Sequence, residues 1–257
     1  MSAAIEGRHD GAESGAVTGE GIAVARDAPL FFVMNPRSGK QDDEDVRSVI
    51  QTALAGSGRT ATLHEVEPPD ALKKVAREVV ELARARGGVV VAAGGDGTIN
   101  AVAEATLGSG CPFGVIPLGT FNYFSRAHGI PSDLREACRI LTEERAHAVQ
   151  VGLVNEHVFL VNASIGLYPE LLEEREQAKR EFGRSRWVAA GAALATLLRP
   201  HRALRIDVEI QGRRRSFVTP TLFVGNNRLQ LERAGIPDRD LTERHRLVAV
   251  VVRPASS

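Results

Sequence analysis

Cysteine is nearly absent: Cys111 and Cys138 are the only two in 257 residues. They form no CxxC pair, which excludes a disulfide framework and a zinc knuckle, and both read as buried thiols of a reducing compartment. Net charge is missing as well, because 32 basic residues meet 32 acidic ones. A nucleic-acid binder that relies on overall basicity is thereby excluded. Long apolar runs are lacking too. The longest, residues 187–198, reaches about two thirds of what a bilayer needs, and the N-terminus has no basic start followed by an apolar block. No membrane span or signal peptide is expected, and a cytoplasmic setting follows. The seven histidines show no HExxH spacing, no serine sits in GxSxG, and no internal repeat is present.

What is present is ordinary for a globular chain: 43% hydrophobic and 25% charged residues, enough for one or two domains with real cores. Residues 1–28 are rich in Gly, Ala, Glu and Asp without periodicity, and read as a disordered tail. From Leu30 the pattern alternates. Apolar strands are expected at residues 30–34, 60–66, 89–93 and 113–116. Helices are expected at residues 42–54, 72–86 (capped by Asp70), 99–107 and 122–127. Strands alternating with helices predict a parallel sheet wrapped on both faces, with ligands bound at the strand C-terminal ends.

Near residue 148 the pattern changes. Residues 151–153 and 158–162 read as a hairpin, residues 169–182 and 185–199 as helices, and residues 203–210 and 217–224 as a second hairpin around Gln211-Gly212. The expected organisation is therefore α/β: a parallel-sheet nucleotide-binding domain at residues 29–148, then a β-rich, antiparallel, sandwich-like domain at residues 149–257.

The most informative string is Gly94-Gly95-Asp96-Gly97-Thr98. Glycines at a strand-to-helix junction leave no Cβ between the backbone and a bound group, and Thr98 is placed to cap a helix whose free N–H groups attract phosphate. One carboxylate in such a loop suits a magnesium ion or ordered water beside nucleotide phosphates. The same string also suits a tight turn that uses glycine for geometry and Asp96 for a local hydrogen bond. It is not a Rossmann fingerprint, since Asn100 stands where the third glycine should be. Residues 35–40 are not a Walker A loop either, since no glycine stands six positions before Lys40.

Three loops read together are more specific. Asn35-Pro36-Arg37-Ser38-Gly39, Gly94-Gly95-Asp96-Gly97-Thr98-Ile99-Asn100 and Pro117-Leu118-Gly119-Thr120-Phe121-Asn122 resemble, in order and spacing, the diacylglycerol kinase catalytic domain family, including its bacterial diacylglycerol and sphingosine-type lipid kinases. Asn162-Ala163-Ser164-Ile165-Gly166 and Val224-Gly225-Asn226-Asn227 continue the likeness, which spans about residues 29–252.

The resemblance implies an ATP-dependent phosphotransferase with an alcohol acceptor, moving the γ-phosphate to a lipid hydroxyl such as that of diacylglycerol. ATP and Mg2+ are the implied cofactors. The implied nucleotide contacts are Asn35, Pro36, Arg37, Ser38, Gly39, Gly94, Gly95, Asp96, Gly97, Thr98, Asn100, Thr120 and Asn122. Asp96 is the implied catalytic residue, Thr98 and Thr120 donate to phosphates, and Arg37 is a charge clamp. The sequence departs from the family's pattern in three places. Tyr123 stands where relatives carry an acid, residues 243–247 lack an Asp-Gly pair, and the acidic general base falls beyond residue 257, so the second domain is expected to be incomplete. Two other readings stay open: a nucleotide-binding but inactive or incomplete member, and an NAD kinase-like phosphotransferase.

Basic residues are uneven. Between Lys179 and Arg215 ten basic residues face three acids, an excess of seven. With the apolar run at 187–198 this suggests peripheral contact with an anionic membrane at its cytoplasmic face; the alternative is a buried helix plus exposed strand arginines.

Overall fold

The structure is a computed structural model that describes residues 2–6, 22–35, 46–142, 145–166, 203–210, 212–226 and 247–252. The chain divides into two compact units, residues 15–161 and residues 1–14 with 162–257.

The expected tail holds two short strands, β1 (Ser2–Glu6) and β2 (Ile22–Ala23). Composition does not foresee them, because they form by backbone pairing with distant partners. In the first-named unit, β3 (Leu30–Met34) is followed by α1 (Val46–Leu54), β4 (Ala61–Glu65) and a 3-10 turn (Pro69–Ala71). Then come α2 (Leu72–Ala85), β5 (Val89–Gly94), α3 (Asp96–Thr106) and β6 (Phe113–Pro117). The strands pair in parallel in the order β4-β3-β5-β6. Both faces of this sheet are covered. Phe31, Val33, Val90 and Ala92 join Val79 of α2 and Ile99 and Val102 of α3 in one core. Leu30, Phe32, Met34, Val91 and Ala93 join Ile50 and Leu54 of α1 in another. Coverage on two sides is why 30–34 and 89–93 are continuous apolar runs and not alternating ones.

Several boundaries differ from expectation. Asp70 lies inside the 3-10 turn, and the cap position of α2 is Ala71, without a side-chain bond. Helix α3 begins three residues before Ile99, so its cap position is Gly95 and Thr98 sits in the first turn. The glycines there hide the helical period. After α4 (Tyr123–Ala127) a further helix, α5 (Leu134–Ile140), completes the second core with Ala137 and Cys138. Sequence periodicity missed α5, although Asp133 and Glu136 carried its signal: the Asp133 carboxylate accepts the Glu136 N–H at 2.9 Å. Burial, then the Asp133 charge, push the Cys138 thiol up to about 11, whereas Cys111 is only half-buried.

The two-residue strand β7 (Arg145–Ala146) pairs with β2. The first hairpin comprises β8 (Gly152–Val154) and β9 (His157–Phe159). Asn155 and Glu156 turn it with φ of 47° and 71°, the primed-turn geometry that matches strand twist. This hairpin falls within the unit ending at Val161.

In the other unit β10 (Asn162–Gly166), β11 (Leu204–Ile210), β12 (Arg213–Thr219), β13 (Thr221–Gly225) and β14 (Val248–Val252) are all antiparallel. One sheet runs β1-β14-β13-β10, and β11-β12 forms a separate pair. The expected return strand 217–224 is corrected here. The hairpin returns at Arg213 immediately after Gly212, whose φ is +71°, and Pro220, with no N–H to donate, separates β12 from β13. The helices expected at 169–182 and 185–199 lie outside the described residues. So do six of the ten basic residues counted above; Arg205, Arg213, Arg214 and Arg215 lie within them. No helix of the described residues is long and apolar enough to cross a membrane.

Candidate active site

Strand order places a crevice. From β3 the chain turns to α1 on one face of the sheet, and from the adjacent β5 it turns to α3 on the other. Open parallel sheets bind ligands at such a reversal. Asn35 stands at the end of β3, its N–H bonded to the Ala93 carbonyl at 3.0 Å. The Asn35 side-chain Nδ2 donates to Thr98 Oγ1 at 3.3 Å across the crevice. Pro36, Arg37, Ser38 and Gly39 lie outside the described residues.

The loop after β5 packs so tightly that glycine is required. A Cβ on Gly94 would meet the Thr98 side chain at 2.6 Å. Gly95 approaches the next loop, 3.5 Å from Gly119 Cα for an ideal Cβ. Gly97 is the opposite case, exposed and with nothing within 4 Å of an added Cβ. The first internal helical bond runs from the Ile99 N–H to the Gly95 carbonyl at 3.0 Å. The N–H groups of Asp96, Gly97 and Thr98 therefore have no partner within the helix and point along its axis, toward the positive end of its dipole.

The loop after β6 closes on itself. Asn122 has φ of 49° and is buried. Its Oδ1 accepts the Gly119 N–H at 3.0 Å and its Nδ2 donates to the Gly119 carbonyl at 2.8 Å. Thr120 is exposed at the loop's tip. Asp96 joins the two loops: its Oδ1 accepts the Phe124 N–H at 3.4 Å. Burial pushes the Asp96 carboxyl above its ordinary value, and the amides of Phe124, Tyr123 and Asn122 pull the other way without cancelling the effect. The Asp96 hydrogen bond therefore crosses to the neighbouring loop, 28 residues on, and does not close its own turn.

Asn100 is placed differently. Its Nδ2 donates to the Val158 carbonyl and its Oδ1 accepts the Leu160 N–H, both at 2.9 Å. One helical turn on, Glu104 accepts the Val158 N–H at 3.1 Å. The two side chains act as a surrogate strand beside β9. Sequence reasoning missed Glu104; its only signal was the i, i+4 spacing from Asn100 on one helix face. A cavity of about 650 Å3 opens beside Gly97, with Asp70, Lys73, Asn100, Glu104 and His157 on its wall.

A metal was expected beside Asp96. Among the described residues no group of three or more His, Cys, Asp or Glu converges. A lone half-buried carboxylate still fits magnesium, which takes one or two carboxylates and completes its shell with water and phosphate oxygens.

Comparison with known proteins agrees with this geometry. Residues 29–154 match the family model described as diacylglycerol kinase catalytic domain. The chain is 29% identical over 210 residues to a YegS-like lipid kinase of Cronobacter sakazakii, covering 79% of this chain and 66% of that one. It is 29% identical over 190 residues to the diacylglycerol kinase of Bacillus subtilis, covering 71% and 59%. The crystal structure of a diacylglycerol kinase from Bacillus anthracis str. Sterne superposes with a TM-score of 0.57 at 24% identity, over 78% of this chain and 64% of that one, a likeness of fold. The chain spans between 46% and 66% of the length of the curated relatives it matches. The stretch that matches the diacylglycerol kinase catalytic domain family, residues 29–154, contains Asn35 and the loops after β5 and β6 that line the crevice.

Proposed function

We propose that this chain is an ATP-dependent lipid kinase that transfers the γ-phosphate to a lipid hydroxyl, diacylglycerol being the first acceptor to try. The observation that carries the reading is the crevice at the strand reversal, where Asn35 bridges to Thr98 and the glycine-lined start of α3 presents its amides beside Gly119. Phosphoryl transfer asks the protein mainly for positioning and charge neutralisation. The amides of Gly97 and Thr98 are suited to phosphate oxygens, and the open space over Gly97 leaves room for them. Thr120, exposed on the facing loop, has a hydroxyl to donate. Asn35 holds Thr98 in register, and Asn122 keeps the facing loop rigid. The cavity beside Gly97 has the size of a drug-like ligand site and would take the rest of the nucleotide.

Asp96 would hold magnesium through phosphate and water, and the ion, when bound, would neutralise charge developing between the phosphates. The acceptor oxygen attacks the γ-phosphorus, the bond to the β-phosphate oxygen breaks, ADP departs, and the hydroxyl proton passes to a base. An acceptor of this kind sets the enzyme at the cytoplasmic face of a membrane. The test is phosphate transfer from radiolabelled ATP to diacylglycerol, sphingosine or ceramide in mixed micelles. Labelled lipid with the wild type and none with Asp96→Asn is expected. Absence of label in all three acceptors would sink the reading.

A further inference from the structure

The β11-β12 hairpin has an uneven charge distribution that phosphoryl transfer does not explain. Its seven-residue ladder pairs with no other described strand. Residues 213, 214 and 215 are consecutive arginines, all exposed, at the start of β12. Strand alternation puts Arg214 on one face and Arg213 and Arg215 on the other. On the first face charges balance: Arg205 and Arg214 accompany Asp207 and Glu209. There the Asp207 carboxylate accepts Arg214 at 2.6 Å and Ser216 at 2.5 Å. These bonds, from Ser216 first and then Arg214, hold the Asp207 carboxyl below its ordinary value.

Among the described residues the second face has no such compensation. Arg213 stands opposite Ile210 and Arg215 opposite Val208 in the register, and among the described residues neither has an acidic partner. Opposite charges across a ladder are the usual way to accommodate strand cations, and here the partner positions are aliphatic. Half-buried Ile206, Val208 and Phe217 continue this face toward the base of the hairpin. Two exposed guanidinium groups with no acidic partner among the described residues, set beside aliphatic register positions on a two-stranded ribbon, match the chemistry of a bilayer surface, with anionic headgroups outside and acyl chains beneath. A nucleic-acid duplex offers phosphates but no apolar layer for Ile206, Val208 and Phe217 to border, whereas a bilayer offers both.

We infer that the Arg213 and Arg215 face of the β11-β12 hairpin is a docking surface for an anionic lipid bilayer. The full chain is sedimented with vesicles of phosphatidylcholine, with and without phosphatidylglycerol, in the absence of ATP. The wild type is expected to pellet with the anionic vesicles alone and to release as salt rises. The double variant Arg213→Ser and Arg215→Ser should bind about thirtyfold more weakly, the scale of two basic residues near a charged surface. Lysine at both positions should restore binding, and Arg214→Ser, whose charge Asp207 already neutralises, should bind within about twofold of wild type. Equal sedimentation of the serine double variant, equal binding to neutral vesicles, or capture of the wild type by a duplex oligonucleotide instead of by lipid would each overturn the proposal. Because no turnover is read, the outcome stands apart from that of the kinase assay.

Discussion

The loop after β5 and the loop after β6 lie side by side at the same edge of one sheet, yet they are built in opposite ways. The first is left open: glycines fill its turns, and three amides at the start of α3 have no partner within the helix. The second is closed: both polar atoms of the Asn122 side chain are bound to the backbone of Gly119. A ligand needs free donors from one wall and rigidity from the other. Asp96 belongs to the open loop but bonds to the amide of Phe124 beyond the closed one, so it ties the two together.

The comparison breaks most completely at their point of contact. A Cβ on Gly119 would lie 2.7 Å from Gly95 Cα and 2.8 Å from Asn122 Oδ1. Because one of these atoms is backbone, Gly119→Ala is expected to cost about 2–3 kcal/mol of stability, read by urea unfolding. Next in size is Asn122→Ala, which removes two hydrogen bonds and puts a β-carbon residue without local bonding at φ of 49°. A loss of about 2 kcal/mol is expected. Asn122→Gly should recover the conformational part of that loss; equal loss in both variants would show that the hydrogen bonds alone matter.

Asp96→Asn reverses the sign. Burial raises the folded-state pKa of Asp96 above 3.8, so the folded protein holds that proton more tightly than the unfolded chain. The stabilising contribution is full below 3.8 and is lost as pH rises through the folded value. At neutral pH the charged, half-buried form is therefore a burden. Asparagine keeps an oxygen for the Phe124 amide without that charge, so the variant should melt no lower than wild type at pH 7 while losing activity. The difference in melting temperature should shrink as the pH approaches 3.8. A variant that melts markedly lower at pH 7 would mean the carboxylate is structural first.

How much of this was legible in the sequence depended on where each partner lies. Residues 30–34 and 89–93 could be read as strands because burial on both faces writes itself into consecutive apolar residues. The glycine loop could be read because a strand and a helix flank it closely in sequence. Interactions across long separations could not. Asn100 was read as a nucleotide contact from its place in the motif, but its amide is engaged with Val158 and Leu160, 58 and 60 residues away. Glu104 was passed over for the same reason. The pairing of β1 with β14 joins residues 2–6 to 248–252, and nothing in the composition of the first 28 residues announces it. Pro220 marks the end of β12, but its start at Arg213 follows from the turn at Gly212, whose positive φ lets the chain return at once.

In the proposed function the open loop takes the phosphates and the closed loop is their wall. Gly97→Ala tests it most directly, because an added Cβ there meets no protein atom within 4 Å and alanine suits a helical turn better than glycine. Stability should stay within about 1 kcal/mol of wild type, on the favourable side. Calorimetric titration with ATP and magnesium should nonetheless show affinity falling at least about tenfold, the order of one charge-assisted hydrogen bond. Unchanged ATP affinity in a Gly97→Ala protein of normal stability would contradict the claim.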